Sequence, residues 1–206
     1  MTQEFAAVRP RHAATLVAWR RGRRGIEVLM GRRAARHSFV PDHYVFPGGR
    51  LDPADYRAKA KTRLRPEVAK QLCAHCTPAR AHALAVAAAR ETFEETGLAL
   101  GELDAGVLVP TLDRLDYLLR AITPVSSPIR FHARFFAVEA RHLAGTLRGS
   151  GELLDLDWRA LEECLRLPIV DVTEFLLRKL AAGADFTPRG KRVPLVWFRG
   201  DRFLVR

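Results

Sequence analysis

Residues 90–98 read RETFEETGL, and this stretch decides how the rest of the sequence is interpreted. It follows an alanine-rich run that is typical of a helix, and Gly97 near its end is the residue type that commonly terminates helices. Glu91, Glu94 and Glu95 therefore fall in the last two turns and within one sector of the helix. Because the carbonyl end of a helix carries partial negative charge, each carboxylate there costs about 0.3–1 kcal/mol. The stretch is thus either a solvated acidic patch or a site for a cation.

The length and composition predict one folded domain over residues 1–206. A hydrophobic content of 48% in 206 residues allows a sizeable core and excludes global disorder. No stretch approaches the roughly 20 consecutive apolar residues of a membrane helix, and the opening MTQEFAAVRPRH lacks a signal-peptide hydrophobic region. We therefore expect a cytoplasmic protein without a membrane partner.

The formal net charge of +11 makes anionic ligands worth considering. Arginines are spread along the chain, and the tightest group, RRGRR at 20–24, lies between two apolar runs like a hairpin loop. Such a charge attracts phosphates of any kind and does not single out nucleic acid, which we do not expect as a partner.

The three cysteines are too few for a disulfide framework and fit a reducing compartment. CAHC at 73–76 lies near His82, but no second CxxC completes a tetrahedral zinc set. Free thiols are expected here, and not a zinc site.

The remaining patterns mix strands and helices without regular alternation, which predicts the α+β class or an α/β/α sandwich. The predicted strands lie at 14–19, 26–30, 43–49, 107–110, 130–140, 152–158 and in the tail from 192, the first two forming a hairpin. The predicted helices are 81–96, a short one at about 112–119, ALEECLR at 160–166 and VTEFLLRKLAAG at 172–183.

Gly48-Gly49 followed by RETFEETGL resembles the Nudix box, whose general form is Gx5Ex7REUxEExGU, with U an aliphatic residue. The residues that match its later charged and glycine positions are Arg90, Glu91, Glu94, Glu95 and Gly97. Thr92 stands where an aliphatic residue is usual. The resemblance implies a Nudix-type α/β/α sandwich with a mixed central β-sheet, acting as a hydrolase on a diphosphate linkage.

The two halves of this box are far apart in the sequence. Counting five residues beyond Gly49 leads to Asp55, whereas counting back from Arg90 leads to His82. The polar, Arg- and Lys-rich residues 52–80 are therefore interpreted as an insertion that splits the box, placed near the substrate entrance and not forming a separate domain.

One Nudix subfamily, similar to the peroxisomal coenzyme A diphosphatases of mammals and their bacterial relatives, carries a long insertion at this point. The segment GGRLDPAD, with Asp52 and Asp55, is similar to its coenzyme A-hydrolysing signature. ITPVSSPIRFHARFF resembles a later segment of the subfamily, with His132 where the relatives usually place Asp. The resemblance implies coenzyme A or an acyl-CoA as substrate.

Within this family, the glutamates hold divalent metal ions against the substrate. Glu91, Glu94 and Glu95 are thus the expected ligands of Mg²⁺ or Mn²⁺, hard cations that take oxygen ligands. Arg90 would orient the acids by ion pairing. The general base is expected to be Glu95, through a metal-bound water, or Glu152, and the alternative for Glu152 is a solvated loop residue.

Substrate phosphates have several candidate contacts. Arg32, Arg33 and Arg36 precede the glycine loop and could bind phosphates bidentately, or they are ordinary surface arginines. Gly48 and Gly49 would let the backbone approach the site closely.

Three functions remain open at this stage. The first is the coenzyme A diphosphatase, the second an ADP-ribose or dinucleotide pyrophosphatase with the same chemistry, and the third a non-catalytic Nudix-like nucleotide sensor or nucleic-acid-binding module. The intact acidic triad favours the first two. The expected partner is a small nucleoside diphosphate derivative, and we retain a homodimer among the expected assemblies.

Overall fold

The computed structural model describes residues 8–23, 25–35, 39–183, 192–200 and 202–206. The strands are β1 (Arg11–Gly22), β2 (Gly25–Arg33), β3 (Tyr44–Val45), β4 (Gly48–Arg50), β5 (Gly101–Asp104), β6 (Val107–Pro110), β7 (Asp116–Ile122), β8 (Phe131–Glu139), β9 (Leu153–Ala160), β10 (Leu195–Arg199) and β11 (Arg202–Val205). The α-helices are α1 (Pro66–Cys73), α2 (Pro78–Thr96), α3 (Leu161–Cys164) and α4 (Asp171–Ala181).

The main sheet runs in the order β11-β10-β7-β8-β1-β2-β3, with β4 paired to β1 and β9 paired to β2. Strands β1 and β8 are parallel, as are β7 and β10, whereas the other pairs are antiparallel, so the sheet is mixed. The predicted hairpin is present as β1 and β2. Strands β5 and β6 form a separate two-stranded hairpin.

Helices cover both faces of the main sheet. Side chains of α1 and α2, such as Leu72 and Leu84, share one buried cluster with Leu16 of β1 and Phe136 of β8. Side chains of α3 and α4 share a second buried cluster with the alternate residues of the same strands, among them Val17. The predicted α+β sandwich around a mixed sheet is therefore confirmed.

The short helix predicted at about 112–119 is wrong. Leu112–Arg114 form a 3-10 turn, after which the chain enters strand β7. Tyr117, Leu118 and Leu119 are all buried, because β7 lies between β8 and β10 with a register shift between Tyr117 and Leu119. A continuous apolar run of this kind does not alternate, and periodicity alone does not distinguish it from a helix.

Residues 52–80 form a 3-10 turn, helix α1 and the start of α2. Val68 and Leu72 of α1 are buried in the cluster that also contains β1 and α2 side chains, and Leu64 and Cys76 pack against it. The segment thus contributes to the main core on the α2 side of the sheet.

Helix α2 positions the acidic stretch. Thr77 caps its first turn by accepting from the backbone N–H of Arg80, and Gly97 ends it with a φ of 73° in the left-handed region. None of the helices in the described ranges combines the length and apolar character needed to cross a membrane.

Candidate active site

The C-terminal half of α2 lies against strand β4. The backbone N–H of Gly48 donates to Oε2 of Glu95 at 2.8 Å. A Cβ added at Gly49 would lie 2.3 Å from Cδ of Glu91, so only glycine fits beside that carboxylate without displacing it. Both glycines are in β4 because Gly48 and Gly49 pair with Thr15 and Ala14 of β1. Strand pairing therefore positions Gly48 and Gly49, and these two glycines contact Glu95 and Glu91.

Arg90 is the centre of the ion pairs at this end of the helix. Its Nε and Nη2 donate to the two carboxylate oxygens of Asp55 at 2.9 and 3.1 Å. Its Nη1 donates to Glu91 and to Glu94, each at 2.9 Å. Nη2 also reaches the carbonyl of Arg50 at 3.2 Å. Arg90 thus holds three carboxylates, while its orienting function stays a prediction.

Asp55 closes the split box in space. Asp55 is 1% exposed, and Arg90 binds its carboxylate bidentately although the two residues are 35 positions apart in the chain. The backbone N–H of Asp52 donates to Oδ2 of Asp55, and Oδ1 of Asp52 accepts from Ala54, which forms a capping box on the 3-10 turn. Counting from Gly49 had already led to Asp55, but the sequence did not reveal its partner.

The three glutamates differ in exposure. Glu95 is 4% exposed, Glu91 is half-buried, and the side chain of Glu94 is 54% exposed. Burial raises the pKa of Glu95 to about 8, and the hydrogen bond from Gly48 only partly opposes this. Burial also raises the pKa of Glu91, against the lowering effect of Arg90. The helix therefore holds two carboxyl groups in an environment that disfavours their charge.

Thr92, the departure from the aliphatic pattern, is fully buried between these acids. Its hydroxyl donates to the carbonyl of Ala88 at 2.8 Å, within the helix. The hydroxyl is therefore satisfied locally, and the β-branched side chain packs as an aliphatic residue would.

Glu152 and Arg33 lie at the same site, whereas Arg32 lies apart from it. The negative charge of Glu152 raises the pKa of both Glu91 and Glu95, and the positive charge of Arg33 lowers that of Glu95. Nε of Arg33 is buried and has no hydrogen-bond partner among the described residues. Arg32 instead forms an ion pair with Asp42 at 2.7 Å. Arg36 lies outside the described residues.

The acidic groups fit a divalent cation chemically. Within the described ranges no three His, Cys, Asp or Glu side chains are already grouped to hold a metal ion. The reason is visible in the contacts: Arg90 Nη1 holds Glu91 and Glu94, while Glu95 faces Gly48. Glu91 and Glu95 are nevertheless hard oxygen donors whose pKa values are raised. A bound dication would offset the free-energy cost of burying their charges and the repulsion between the two carboxylates.

Comparisons with known proteins give the family of the chain. The family model described as NUDIX domain matches residues 9–180. A crystal structure of a NUDIX hydrolase from Alicyclobacillus acidocaldarius is 31% identical, covers 86% of this chain and 93% of its own, and superposes with a TM-score of 0.67. A MutT NUDIX hydrolase from Burkholderia pseudomallei is 19% identical, with coverage of 84% and 99% and a TM-score of 0.53.

A MutT protein from Methanosarcina mazei Go1 is 17% identical, with coverage of 85% and 97% and a TM-score of 0.52, so it shares the fold. A search of curated proteins gives no significant match. The family match over most of the chain and the 31% identical hydrolase decide the assignment. The chain belongs to the Nudix family and is a Nudix hydrolase.

Proposed function

We propose that this hydrolase cleaves the diphosphate linkage of a nucleoside diphosphate derivative, with coenzyme A or an acyl-CoA as its substrate. The observation that carries the chemistry is the pairing of Arg90 with the buried Asp55, beside Glu91 and Glu95. This pairing supports a complete Nudix site in a chain whose box is split by some thirty residues of sequence.

Glu91, Glu94 and Glu95 are proposed as the ligands of Mg²⁺ or Mn²⁺. Nudix hydrolases generally use divalent metals. When bound, such an ion supplies charge neutralisation on the diphosphate oxygens and acidifies a water molecule. Glu94, the most exposed of the three, is free to turn from Arg90 towards the site, since its side chain is 54% exposed.

Glu95 and Glu152 are proposed to receive the proton of the attacking water. Glu95 is the stronger of the two candidates because burial raises its pKa to about 8, close to the value that suits a general base at neutral pH. Glu152 immediately precedes β9, and its carbonyl accepts from the N–H of Ala34 next to Arg33. Arg33, with an unpartnered buried Nε among the described residues, is proposed to bind a substrate phosphate, whereas Arg32 would have to leave Asp42 to do so.

The substrate choice rests on the segment that splits the box. Residues 52–80 are proposed as an insertion of a single domain, bordering the substrate entrance, because Asp55 in its first turn touches Arg90. Coenzyme A differs from ADP-ribose by a 3′-phosphate, which a chain of charge +11 favours electrostatically. Cytoplasmic location and homodimer formation are retained as predictions.

A second candidate is an ADP-ribose or dinucleotide pyrophosphatase. The contacts of the two aspartates of GGRLDPAD are compatible with this second candidate. Asp52 caps a turn and Asp55 binds Arg90, so neither contact requires coenzyme A. Both acids thus have a structural function that does not depend on coenzyme A.

The deciding experiment is a hydrolysis screen with Mg²⁺ over coenzyme A, acetyl-CoA, ADP-ribose, NADH and diadenosine polyphosphates. The proposal expects the highest kcat/KM for coenzyme A or its thioester. Preference for ADP-ribose or a dinucleotide would select the second candidate. Absence of turnover on every compound, with Mg²⁺ and with Mn²⁺, would overturn both candidate substrate classes.

A further inference from the structure

A group of arginine and histidine side chains lies on the α2 side of the sheet. The cluster consists of His12 of β1, Arg120 of β7, His132 and Arg134 of β8, and Arg80 of α2, and we call it the Arg134 cluster. Register brings it together, because His12 pairs with His132 and Arg120 pairs with Arg134 across the strands. The rings of His12 and His132 are 5.7 Å apart between centroids.

Arg134 is 1% exposed, which is unusual for an arginine without an acidic partner. Its Nη1 donates to the carbonyl of His132 at 2.8 Å and contacts Nδ1 of His12 at 3.2 Å. Among the described residues, no Asp or Glu forms an ion pair with any member of the cluster. Its charge is therefore buried among neutral dipoles and further cations.

Two members of the cluster also carry unused hydrogen-bond capacity. Nε of Arg120 and Nε2 of His132 are buried and have no partner within the described part of the chain. Buried polar groups are nearly always hydrogen-bonded, so Nε of Arg120 has room for an acceptor, as does Nε2 of His132 in the tautomer that carries its proton there. An anion would satisfy the nitrogens and the charge together.

The electrostatics agree with this geometry. Burial, followed by the charges of Arg134 and Arg80, lowers the pKa of His12 to about 4. Burial, followed by Arg134 and Arg120, lowers that of His132 to about 3. Burial also lowers the pKa of the Arg134 guanidinium itself. At neutral pH the two imidazoles are therefore uncharged, and the Arg134 guanidinium lies near Arg120 and Arg80 without a carboxylate partner among the described residues.

The cluster is reachable at its edge. His75, in the α1–α2 connection, and Arg192 are exposed, and Arg120 and Arg134 both lower the pKa of His75 after burial. Arg80 is partly exposed and donates to the hydroxyl of Tyr56 at 3.3 Å. The segment 52–80 thereby supplies one wall of the cluster and an exposed rim.

We propose that the Arg134 cluster is a second anion site that binds a phosphate dianion, either free or as a phosphomonoester group. Planar guanidinium groups and imidazole N–H donors suit phosphate oxygens. The α2 member of the cluster, Arg80, lies about 16 Å from Glu91 along the axis of the helix. The phosphomonoester could be the 3′-phosphate of the substrate, a source that depends on the proposed function, or it could belong to another molecule.

Binding of inorganic phosphate to the full-length, metal-free protein tests the site without reference to activity. Titration calorimetry and thermal unfolding are run with chloride at matched ionic strength, so that general screening of the +11 charge is excluded. The variants are Arg134→Met and Arg120→Gln. Arg178→Gln is the matched control, because Arg178 is an exposed arginine on α4 that pairs with Glu174.

The wild type and Arg178→Gln should bind phosphate and unfold at a higher temperature in its presence. Arg120→Gln should weaken binding about tenfold or more, and Arg134→Met should remove it. Without phosphate, Arg134→Met should be at least as stable as the wild type, because it removes an uncompensated buried charge. If Arg134 only stabilised the fold, Arg134→Met would instead be less stable than the wild type without phosphate.

Absence of phosphate binding by the wild type, or equal binding by Arg120→Gln and Arg178→Gln, would overturn the proposal. If Arg134→Met does not fold, Arg120→Gln decides, since Arg120 is partly exposed. A further arm compares coenzyme A with dephospho-CoA. If Arg120→Gln lowers kcat/KM for coenzyme A but not for dephospho-CoA, the ligand of the cluster is the 3′-phosphate of the substrate. If Arg120→Gln loses phosphate binding but keeps the wild-type kcat/KM for both substrates, the ligand is a separate phosphate.

Discussion

The two ends of helix α2 carry opposite charges, and each end has the charge that the helix dipole disfavours. The first turn contains Arg80 and no acid, whereas the last turns contain Glu91, Glu94 and Glu95 and no base after Arg90. Stabilising substitutions would place the charges the other way round. Helix stability therefore does not explain either end, whereas the proposed ligands of opposite sign would: a cation at the glutamates and an anion at the Arg134 cluster.

The two ends differ in how far the protein compensates its own charge. At the acidic end, Arg90 binds Asp55, Glu91 and Glu94. At the basic end, Arg134 is buried with only neutral acceptors among the described residues. We therefore expect the acidic end to fold without a bound metal, and the basic end to gain more stability from a bound anion.

The largest expected effect is loss of turnover at the acidic end. Glu95→Gln or Glu94→Gln should lower metal-dependent hydrolysis about 10³-fold, because each removes a charged oxygen donor without changing size. Circular dichroism and thermal unfolding should show a folded protein in both. Glu174→Gln, an exposed acid on α4, is the control and should retain activity. Near-normal turnover in both variants would refute the metal site.

Much of this acidic end was predictable from the sequence, because its determinants are local. The spacing of Glu91, Glu94 and Glu95, with Gly97 after them, fixes their helical sector, and the glycine pair is a short motif. The pairing of Asp55 with Arg90 was not predictable, since it depends on how residues 52–80 fold back. Spacing had only indicated Asp55 as a position.

The basic end was not predicted, because its members come from four elements. His12, Arg120 and Arg134 are distant in sequence and are brought together by strand register, and the packing of α2 on the sheet adds Arg80. His132 had been noted only as a departure from the subfamily pattern. The wrong helix at about 112–119 has a related cause, since strand β7 is buried on both faces and loses the alternation that marks a strand.

The second prediction concerns the stability of the metal-free protein with pH. Burial raises the pKa of Glu95 from 4.5 to about 8, so the folded state holds a proton that the unfolded state releases. Stability from this group is complete below about pH 4.5 and is lost as pH rises towards 8. Urea unfolding from about pH 5 to about pH 8 should show a steeper fall for the wild type than for Glu95→Gln. Equal slopes would contradict the burial of an ionisable Glu95.

The third prediction tests the internal compensation by Arg90. Asp55→Asn and Arg90→Gln should each lower the free energy of unfolding by about 2–3 kcal/mol, because each leaves a buried partner unpaired. The double variant should lose much less than the sum of the two, a coupling of about 1–3 kcal/mol in a double-mutant cycle. Arg178→Gln with Glu174→Gln, an exposed pair, should show a coupling below about 0.5 kcal/mol. Additive losses for the first pair would mean that the Arg90–Asp55 contact is not formed.

The smallest expected effect links the two ends through the substrate. Coenzyme A presents a diphosphate for the acidic end and a separate 3′-phosphate, while dephospho-CoA lacks only the latter. If the protein contacts that phosphate, dephospho-CoA should show a kcat/KM about tenfold lower, the equivalent of about 1.4 kcal/mol from one charge-assisted contact. The reduction should shrink at high salt, because the contact is ionic and partly exposed. Equal kcat/KM for the two compounds would remove the 3′-phosphate contact, and a higher value for ADP-ribose than for either would assign the protein to the second candidate function.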